Sequence, residues 1–319
     1  MVEQTLACRV PGLYDYAFVS LSDADLRRSD HQGLSAARGE VTAEDFLFEG
    51  REGYCGGLDI GESGSLLRVE SRLDVTVGGG LGLRSSGLRG RLYVDDALDS
   101  VEASVAKGTV VRGAVRQQRS QLRVARGSRP ERPSWYGLRS KAYHDSRSFL
   151  MDQRSVVVPV ERSEQEIRIV LDSNDYSRVF LKGEDLEERN IVIQGSARDK
   201  VVINVTGSPS IFWLGRRVTL IRGIGPGNIL WNFPDTTRLL IAHTKDAVYG
   251  IPGTVLAPFA EVQFYEGLIT GELIAGAVIF DHQCWFGKAS GQINRGPWAG
   301  DEPSPMAPYC PDPARFGSK

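Results

Sequence analysis

The sequence predicts a mostly-β protein, and specifically a β-solenoid, chiefly from residues 200–298. This stretch contains short apolar runs of about four to seven residues, each closed by Gly, Pro, Asn or Asp. Branched or aromatic residues alternate with polar ones from Glu261 to Glu266, which is typical of strands with one buried face. No window in this stretch keeps the 3.6-residue period of an amphipathic helix.

The spacing of two similar segments favours a solenoid. The triplets at 255–257 (Val-Leu-Ala) and 273–275 (Leu-Ile-Ala) lie eighteen residues apart. A repeat of that length fits one coil, which buries its inner side chains only by stacking on neighbouring coils. A β-sandwich with ordinary hairpins accounts for the periodicity equally well, so both architectures stay open on this evidence.

The remaining elements follow from the same patterns. We expect one helix over Trp135–Gln153, with Ser134 as its N-cap. We interpret the glycine-rich run at 78–82 as a solenoid turn, because it lacks the spacing and the following helix of a phosphate-binding loop. We place Leu186 in a loop. Further strands are predicted at 66–69, 73–77, 92–94, 108–111, 155–160, 167–171, 178–181 and 191–193.

Composition and charge argue against several classes of protein. The 319 residues are 41% hydrophobic and include 36 glycines, which fits a turn-rich β protein with a substantial core. The net charge of −2 gives no reason to expect a nucleic acid or a charged membrane surface as partner. There is no apolar run of the roughly 18 residues that a membrane span needs. Oligomeric state is not predicted by any of these features.

Arginines recur at short intervals between residues 112 and 132. There are seven, at positions 112, 116, 119, 123, 126, 129 and 132. A nucleic-acid patch would need interleaved aromatic residues, and the first aromatic residue is Trp135. We therefore interpret the run as a solvated face of the solenoid, with contact to a polyanion as the alternative.

The four cysteines suggest disulfides more than a metal site. No two of them share a C-x-x-C spacing, so zinc has no support in the sequence. An even number at wide separations suits two disulfides in a secreted protein, whereas four free thiols in a cytosolic protein are the alternative. Of the three possible pairings we favour Cys8–Cys55 and Cys284–Cys310, because each then ties a terminal segment to the body.

No catalytic or cofactor motif stands out. The four histidines lie outside any recognisable motif, and there is no G-x-S-x-G elbow; they are His31, His144, His243 and His282. Asp172, Asn174 and Asp175 could offer oxygen ligands to calcium, but their spacing does not fit an EF-hand loop. We therefore predict no metal and no cofactor.

The pattern of residues argues against an ice-binding face and against glycosylation. An ice-binding face usually needs ranks of Thr-x-Thr, whereas Thr236 and Thr237 are adjacent and would point to opposite faces. The glycosylation sequon at Asn204 lies in an apolar strand, so we expect this asparagine to pack within the fold.

Three segments of the carboxy-terminal half are similar to the bacterial choice-of-anchor A family. They are Asn228–Asp235 (NILWNFPD), Gly253–Ala260 (GTVLAPFA) and Ile269–Ala275 (ITGELIA), preceded by a matching strand at 202–207. The resemblance covers roughly residues 12–297 and is weaker in the first half, where Arg38 stands at an expected glycine. It implies an exported protein with an adhesive role. We accordingly expect that a leader peptide has been removed, although residues 2–5 are polar.

We therefore predict one solenoid domain over residues 1–300, with an inserted helical segment at about 134–153 and a Pro-rich tail at 301–319. Its predicted function is non-catalytic binding at the cell surface, with a matrix protein or a glycan as partner. Exposed aromatics supply the candidate binding residues, which are Trp285, Phe286 and Trp298. The alternatives are a β-helix carbohydrate-active enzyme resembling polysaccharide lyases, and a structural subunit that assembles through open solenoid ends.

Overall fold

A computed structural model describes residues 12–49, 58–72, 74–107, 109–124, 134–172, 176–242, 250–280 and 284–286. The chain forms a β-solenoid, as predicted, rather than the β-sandwich that the periodicity left open. Strands pair in parallel with strands one coil away, and only one pair of the described strands is antiparallel. The predicted tail at 301–319 lies outside the described residues.

The first half of the chain contributes fifteen short strands to six coils. They are β1 Tyr16–Ser20, β2 Ala24–Gln32, β3 Leu34–Ala37, β4 Val41–Glu49, β5 Leu58–Ile60, β6 Gly64–Leu67, β7 Glu70–Ser71, β8 Val75–Val77, β9 Leu81–Arg84, β10 Gly87–Leu88, β11 Leu92–Val94, β12 Leu98–Val101, β13 Ser104–Val105, β14 Thr109–Val111 and β15 Val115–Gln118.

The second half contains both described helices and the remaining strands. They are α1 Trp135–Met151, β16 Val156–Val157, β17 Val160–Arg162, β18 Glu166–Val170, β19 Tyr176–Lys182, α2 Gly183–Glu188, β20 Asn190–Gln194, β21 Lys200–Thr206, β22 Ser210–Leu214, β23 Val218–Ile221, β24 Ile229–Asn232, β25 Arg238–Ala242, β26 Ile251–Pro252, β27 Thr254–Thr270, β28 Leu273–Phe280 and β29 Cys284–Phe286.

The coils stack in register, and the eighteen-residue repeat is one coil. Val255 pairs with Leu273, and Ala257 pairs with Ala275; the two members of each pair are one eighteen-residue repeat apart in the chain. The first half uses a seventeen-residue repeat that the sequence analysis did not detect, in which β5, β8, β11 and β14 begin at residues 58, 75, 92 and 109. Each repeat places an apolar or small side chain in the same interior column, so the core is continuous.

The stacked strands form three faces, which we number by the order in which the first coil visits them. Face 1 consists, in spatial order, of β16, β19, β21, β24, β27, β28, β1, β3, β5, β8, β11 and β14. Face 2 consists of β22, β25, β27, β28, β2, β4, β6, β9, β12 and β15. Face 3 contains β17, β18, β20 and β23 at one end and β26, β27, β29, β2, β4, β7, β10 and β13 further along.

The order of coils in space differs from their order in the chain. β1, near the start, pairs in parallel with β28, near the end, through Phe18 with Leu273 and Val19 with Ile274. The first half winds away from this junction to β14 and β15. The second half begins at the opposite end of the solenoid, with β16 and β19, and winds back to the junction. The connection between the halves therefore has to run along the outside.

Helix α1 lies in that connection and covers the middle of face 1. It begins at the predicted position, where the Ser134 hydroxyl accepts a hydrogen bond from Gly137 N (3.1 Å), and it ends at Met151. Its inner side packs Leu138, Ala142 and Phe149 on a second apolar cluster. That cluster draws outward side chains from both halves of the solenoid, namely Val19, Ala36, Val202, Leu230, Leu256 and Ile274.

An asparagine ladder fixes α1 on face 1. Asn232 Nδ2 donates to the backbone oxygen of Ser146 and to Asn204 Oδ1, both at 2.7 Å. Ser146 Oγ donates to Asn232 Oδ1 (2.6 Å), and Asn204 Nδ2 donates to the Phe149 oxygen (3.3 Å). Both asparagines are fully buried, which confirms that the sequon residue Asn204 packs within the fold.

Charged groups secure the second half of the helix. The Arg178 guanidinium donates to the Leu150 backbone oxygen (2.9 Å), and a cation at a helix carboxyl end is favourable. Arg147 pairs with Asp235 (3.1 Å), and the Tyr143 ring stacks on Phe259 at 4.7 Å. Asn232, Asp235 and Phe259 belong to the segments that resemble the choice-of-anchor A family. Those motif residues therefore hold the fold together.

Two glycines of the same segments stand where coils approach most closely. Gly253 has φ +107°, and a side-chain carbon there would lie 2.5 Å from the Ile229 oxygen. The equivalent carbon on Gly271 would lie 2.2 Å from the Gly253 oxygen. Only glycine fits both positions without moving backbone.

The prediction that Leu186 lies in a loop was wrong. Gly183–Glu188 forms the short helix α2, in which Leu186 is fully buried against the core. Glu187 accepts a hydrogen bond from the backbone N–H of Phe212 in the edge strand β22 (2.9 Å). Since an open solenoid end exposes unpaired strand edges, α2 acts as an end cap. The glycine run at 78–82 forms a turn at 78–80, as predicted, and its last two residues begin β9.

Replacing Asn232 by Ala is expected to destabilise the protein by about 2–3 kcal/mol, because it leaves buried groups of Asn204 and Ser146 without a partner. Chemical denaturation measures this loss. Asn228→Ala is the matched control, since Asn228 makes one exposed hydrogen bond to the Ala197 oxygen (2.9 Å). Equal losses in the two variants would contradict a special role for the ladder.

Candidate binding face

Face 2 is the open surface of the solenoid. Its ten strands lie side by side, so the face extends over about 43 Å at the usual strand spacing of about 4.8 Å. No described helix covers it, whereas α1 covers the middle of face 1. Alternate residues of each strand point inward to the core, and the residues between them point to solvent.

One end of face 2 is apolar. Phe212 and Leu214 of β22 are 43% and 46% exposed, which is unusual for large apolar side chains. Leu240 of β25 pairs with Phe212, and Ile279 of β28 lies two strands further along the same outward row. Phe212 and Leu214 form an exposed patch, which we call the apolar end. The half-buried Leu240 adjoins it, and Gln263 separates Leu240 from the half-buried Ile279. Patches of this kind commonly mark interaction sites.

Polar groups border the apolar end. Gln263 Nε2 donates to Glu261 Oε1 (2.6 Å), and Tyr265 OH donates to Gln263 Oε1 (3.4 Å). Arg238 is exposed beside them. The depression between Phe212, Arg238 and Gln263 has a volume of only about 10 Å³. A surface this shallow suits contact with a macromolecule better than enclosure of a small ligand.

The rest of face 2 is polar. Its outward row continues through Asp25, Thr42, Ser65, Gly82, Asp99 and Arg116. Thr42 is the single threonine of this described row, so the face carries no rank of threonines. Thr236 is buried and Thr237 exposed, which confirms that this adjacent pair points to opposite sides.

A ladder of left-handed turns borders face 2 in the first half. Arg28, Asp45, Arg68, Ser85, Glu102 and Arg119 all have φ between 46° and 54°. Arg68 pairs with Glu44 (2.6 Å) and with Asp45, and its hydrogen bond lowers the pKa of the Asp45 carboxyl. Both members of the second pair are exposed, so the pair contributes little stability.

The two predicted binding residues that the structure describes do not belong to strands of face 2. The backbone of Trp285 and Phe286 forms β29, which pairs with β27 and β2 on face 3. Trp298 lies outside the described residues, as do Cys8, Cys55 and Cys310, while Cys284 is the first residue of β29. Aromatic binding at Trp285 and Phe286, and both disulfides, stay predictions.

A serine and a histidine of helix α1 lie close together, but they do not form an accessible catalytic pair. Ser148 Oγ lies 3.3 Å from His144 Nε2 on successive turns of α1, but Ser148 is buried and closed to a substrate. No group of three or more His, Cys, Asp or Glu within the described ranges could hold a metal ion. Asp172 is exposed, and its partners in the predicted calcium loop, Asn174 and Asp175, fall outside the described part of the chain.

A larger cleft lies at the start of the second half. It has a volume of about 350 Å³ and is lined by Val156, Val157, Val158, Pro159, Glu161, Arg168, Val170 and Asp172. Arg168 stands opposite Glu161 in the antiparallel pair of β17 and β18, and its guanidinium pairs with Glu166 (3.0 Å). Its charge is therefore matched by two acids of this region.

Comparison with known proteins identifies the family. A family model described as "Putative Ice-binding-like adhesive domain" matches residues 10–283. The chain belongs to this ice-binding-like adhesive family. Membership confirms the adhesive class predicted from the sequence. No curated protein matches the chain.

A solved structure also shows some similarity to this family member. The crystal structure of an ice binding protein from an Antarctic bacterium Flavobacteriaceae is 9% identical, and the match covers 88% of this chain and 98% of that one. The TM-score of 0.25 is too low to support an argument about ligand or fold. Within the described residues of this adhesive domain, no helix is long and apolar enough to span a membrane.

Sequence reasoning missed the apolar end of face 2, although a signal was present. The segment at 210–214 reads SIFWL, in which both the inward residues, Ile211 and Trp213, and the outward ones, Phe212 and Leu214, are apolar. A strand that is apolar on both sides is either covered on both sides or exposes a patch. Because β22 lies on face 2, which no described helix covers, its outward side chains form an exposed patch.

Buried polar groups at the start of this adhesive domain give it a pH dependence. Tyr14 OH donates to Asp145 Oδ2 (2.9 Å) beneath α1, and Lys141 pairs with the same carboxylate (3.1 Å). Burial and the neighbouring Asp145 raise the pKa of Tyr14 well above its ordinary value, and burial likewise raises the pKa of Asp145. Burial and Asp59 raise the pKa of Tyr16.

These raised pKa values predict a loss of stability in alkali. Above about pH 10 the unfolded chain loses the protons of both tyrosines while the folded protein keeps them, so the free energy of unfolding falls by up to about 1.4 kcal/mol per pH unit for each. Below that pH the effect is absent. Chemical denaturation at a series of pH values between 8 and 11.5 measures the slope.

The variant Tyr14→Phe/Tyr16→Phe should show a shallower decline above pH 10, whatever its stability at pH 8. Tyr136→Phe is the control, because Tyr136 is 83% exposed and its replacement should leave the slope unchanged. An unchanged slope in the double variant would show that these two hydroxyls do not cause the fall in the free energy of unfolding above pH 10.

Proposed function

We propose that this chain is a non-catalytic binding domain that works outside the cell and contacts its ligand through face 2. The observation that carries the proposal is the open, flat sheet of face 2 with its exposed apolar end. Adhesion needs a rigid surface rather than a reacting group, and a stacked solenoid provides one. The ligand we propose is a matrix protein or a glycan.

We also propose a narrower family for this chain and an oxidising, extracellular compartment. The three segments at 228–235, 253–260 and 269–275 support membership of the choice-of-anchor A type, whose members are exported. An oxidising setting would allow the disulfides Cys8–Cys55 and Cys284–Cys310. We also propose that residues 1–300 fold as one unit, because β1 pairs with β28 and α1 packs on both halves.

Ice is not the ligand we propose. The described outward row of face 2 changes from apolar side chains at one end to charged ones at the other, so it presents no regular array. Assembly through both solenoid ends also has less support, since α2 covers the edge at β22.

An enzymatic role is the second candidate, because of the cleft beside β17 and β18. Its volume of about 350 Å³ would admit part of a glycan, and both acidic and basic side chains line it. Its four valines and one proline are less typical of a site that handles charged sugars. We therefore rank it below adhesion.

The adhesive proposal is tested by the variant Phe212→Ser/Leu214→Ser. Both side chains point to solvent, so the fold should persist, while binding to an immobilised panel of collagen, fibronectin and neutral glycans should weaken about tenfold where the wild type binds. Tyr136→Ser/Met151→Ser is the matched control, because those side chains are 83% and 57% exposed on helix α1, away from face 2.

Equal binding by the wild type and the face 2 variant would contradict the proposal. The same glycans are also incubated with the protein and assayed for shortened or unsaturated products. Product that disappears with Arg168→Gln would favour the enzyme instead.

A further inference from the structure

The coil at the free end of the first half is strongly basic. Residues 103–130 contain no Asp or Glu, while they contain Lys107 and six arginines. The whole chain has 38 basic and 40 acidic residues, so this segment departs sharply from the average. Its described residues form β13, β14, β15 and the turns beside them. We call β14, β15 and the described turns beside them, up to residue 124, the terminal coil.

The fold distributes these arginines around the terminal coil. Arg112 lies at the turn between face 1 and face 2, Arg116 on face 2, Arg119 at the turn into face 3, and Arg123 at the turn back towards face 1. All four are exposed. Exposure fits either a solvated face or contact with a polyanion; Arg126, Arg129 and Arg132 lie outside the described residues.

Acids of the preceding coil offset part of this charge, and the exposed Asp99 is the cross-strand neighbour of Arg116. Arg119 pairs with Glu102 at 3.3 Å and Arg112 approaches Asp95 at 3.8 Å, both on the preceding coil. Arg116 and Arg123 form no ion pair with any residue that the structure describes. Exposed Arg84, Arg89 and Lys107 on the two preceding coils add to the positive surface. The local potential is therefore positive although the net charge of the chain is −2.

The terminal coil is unsuited to an apolar partner or to a second copy of itself. Its outward residues are polar except for Val124, which is 49% exposed. Gln117 occupies a position in the interior column that is apolar in β6 and β9. Two such ends brought together would place arginine against arginine, which is unfavourable. A partner of negative charge is the one that complements this surface.

We propose that the terminal coil is a second binding site, which takes an acidic polysaccharide. Guanidinium groups recognise carboxylates in a bidentate manner, and four exposed arginines are distributed around this one coil, so a polymer of carboxylates laid across this end can engage more than one of them. Residues 109–124 carry no aromatic side chain on which bases could stack, which favours an acidic glycan over single-stranded nucleic acid.

The test measures binding to immobilised polygalacturonate, with its methyl-esterified form as the uncharged comparison. The wild type should bind only the charged polymer, and less tightly as salt rises. The variant Arg112→Gln/Arg116→Gln/Arg123→Gln should bind about tenfold more weakly. Arg119 is left unchanged because it occupies a left-handed turn.

The matched control is Lys182→Gln/Arg198→Gln/Arg217→Gln, which removes the same charge from exposed sites of the second half. It should bind within about twofold of the wild type. The variant Arg112→Lys/Arg116→Lys/Arg123→Lys keeps the charge and should retain most of the affinity. Equal losses in both glutamine variants, or no binding of polygalacturonate by the wild type, would overturn the proposal.

Two further outcomes separate this site from its alternatives. Tighter binding of duplex DNA than of polygalacturonate at the same salt concentration would overturn the assignment to a glycan. Phe212→Ser/Leu214→Ser should leave polygalacturonate binding intact, because the terminal coil lies at the opposite end of face 2. Loss of binding in that variant would show that the two sites are not separate.

Discussion

The parallel pairing of β1 with β28 is the contact on which the rest of this structure depends. It joins the beginning of the chain to its end, so that two sets of coils become one stack. A strand buried within such a stack has every backbone group paired, whereas a strand at an open end does not. Without this junction, each half would expose an apolar edge near its most hydrophobic coils.

Helix α1 supports the same junction from outside. Its inner side packs on outward residues of both halves, with Val19 and Ala36 from one and Leu256 and Ile274 from the other. The asparagine ladder and Arg178 then fix its position with directional hydrogen bonds. Because the helix occupies face 1, that face is structural along its middle. Face 2 is left free, and its apolar end and the basic terminal coil lie at opposite extremes of it.

Because face 1 is structural and face 2 is free to bind, the segments that resemble the choice-of-anchor A family take on a structural role. Their asparagine, tryptophan and glycine residues stand out in the sequence, but they lie in the core, in the ladder or at close contacts between coils. Trp231, for example, donates to the Pro252 oxygen (2.8 Å) and meets Trp213 edge to face in the core. The residues proposed to bind ligand, such as Phe212 and Arg116, lie outside those segments.

The sequence predicted the fold class and α1 well, because both depend on local patterns. The spacing of residues 255–257 and 273–275 is the actual coil, and Ser134 is the actual cap. The seventeen-residue repeat escaped notice because its interior positions vary, as in Leu58, Val75, Leu92 and Thr109. The pairing of Val19 with Ile274 has no local signature at all, since it joins positions far apart in the chain.

The candidate site was less predictable than the fold. Exposure of Phe212 depends on β22 being an edge strand of an uncovered face, which is a property of the whole stack. The proposed aromatics Trp285 and Phe286 were chosen by residue type alone, and their strand lies on another face. The arginines of the terminal coil were visible in the sequence, but their arrangement at one end required the discontinuous order of the coils.

Native-state hydrogen exchange tests the account most directly, because it reports a free energy of opening for each segment of the intact chain. We expect the greatest protection at the junction, in β1, β28 and the strands beneath α1, with a decline towards the terminal coil at one end and β16 at the other. A minimum of protection at β1 and β28, between two separately protected halves, would contradict it.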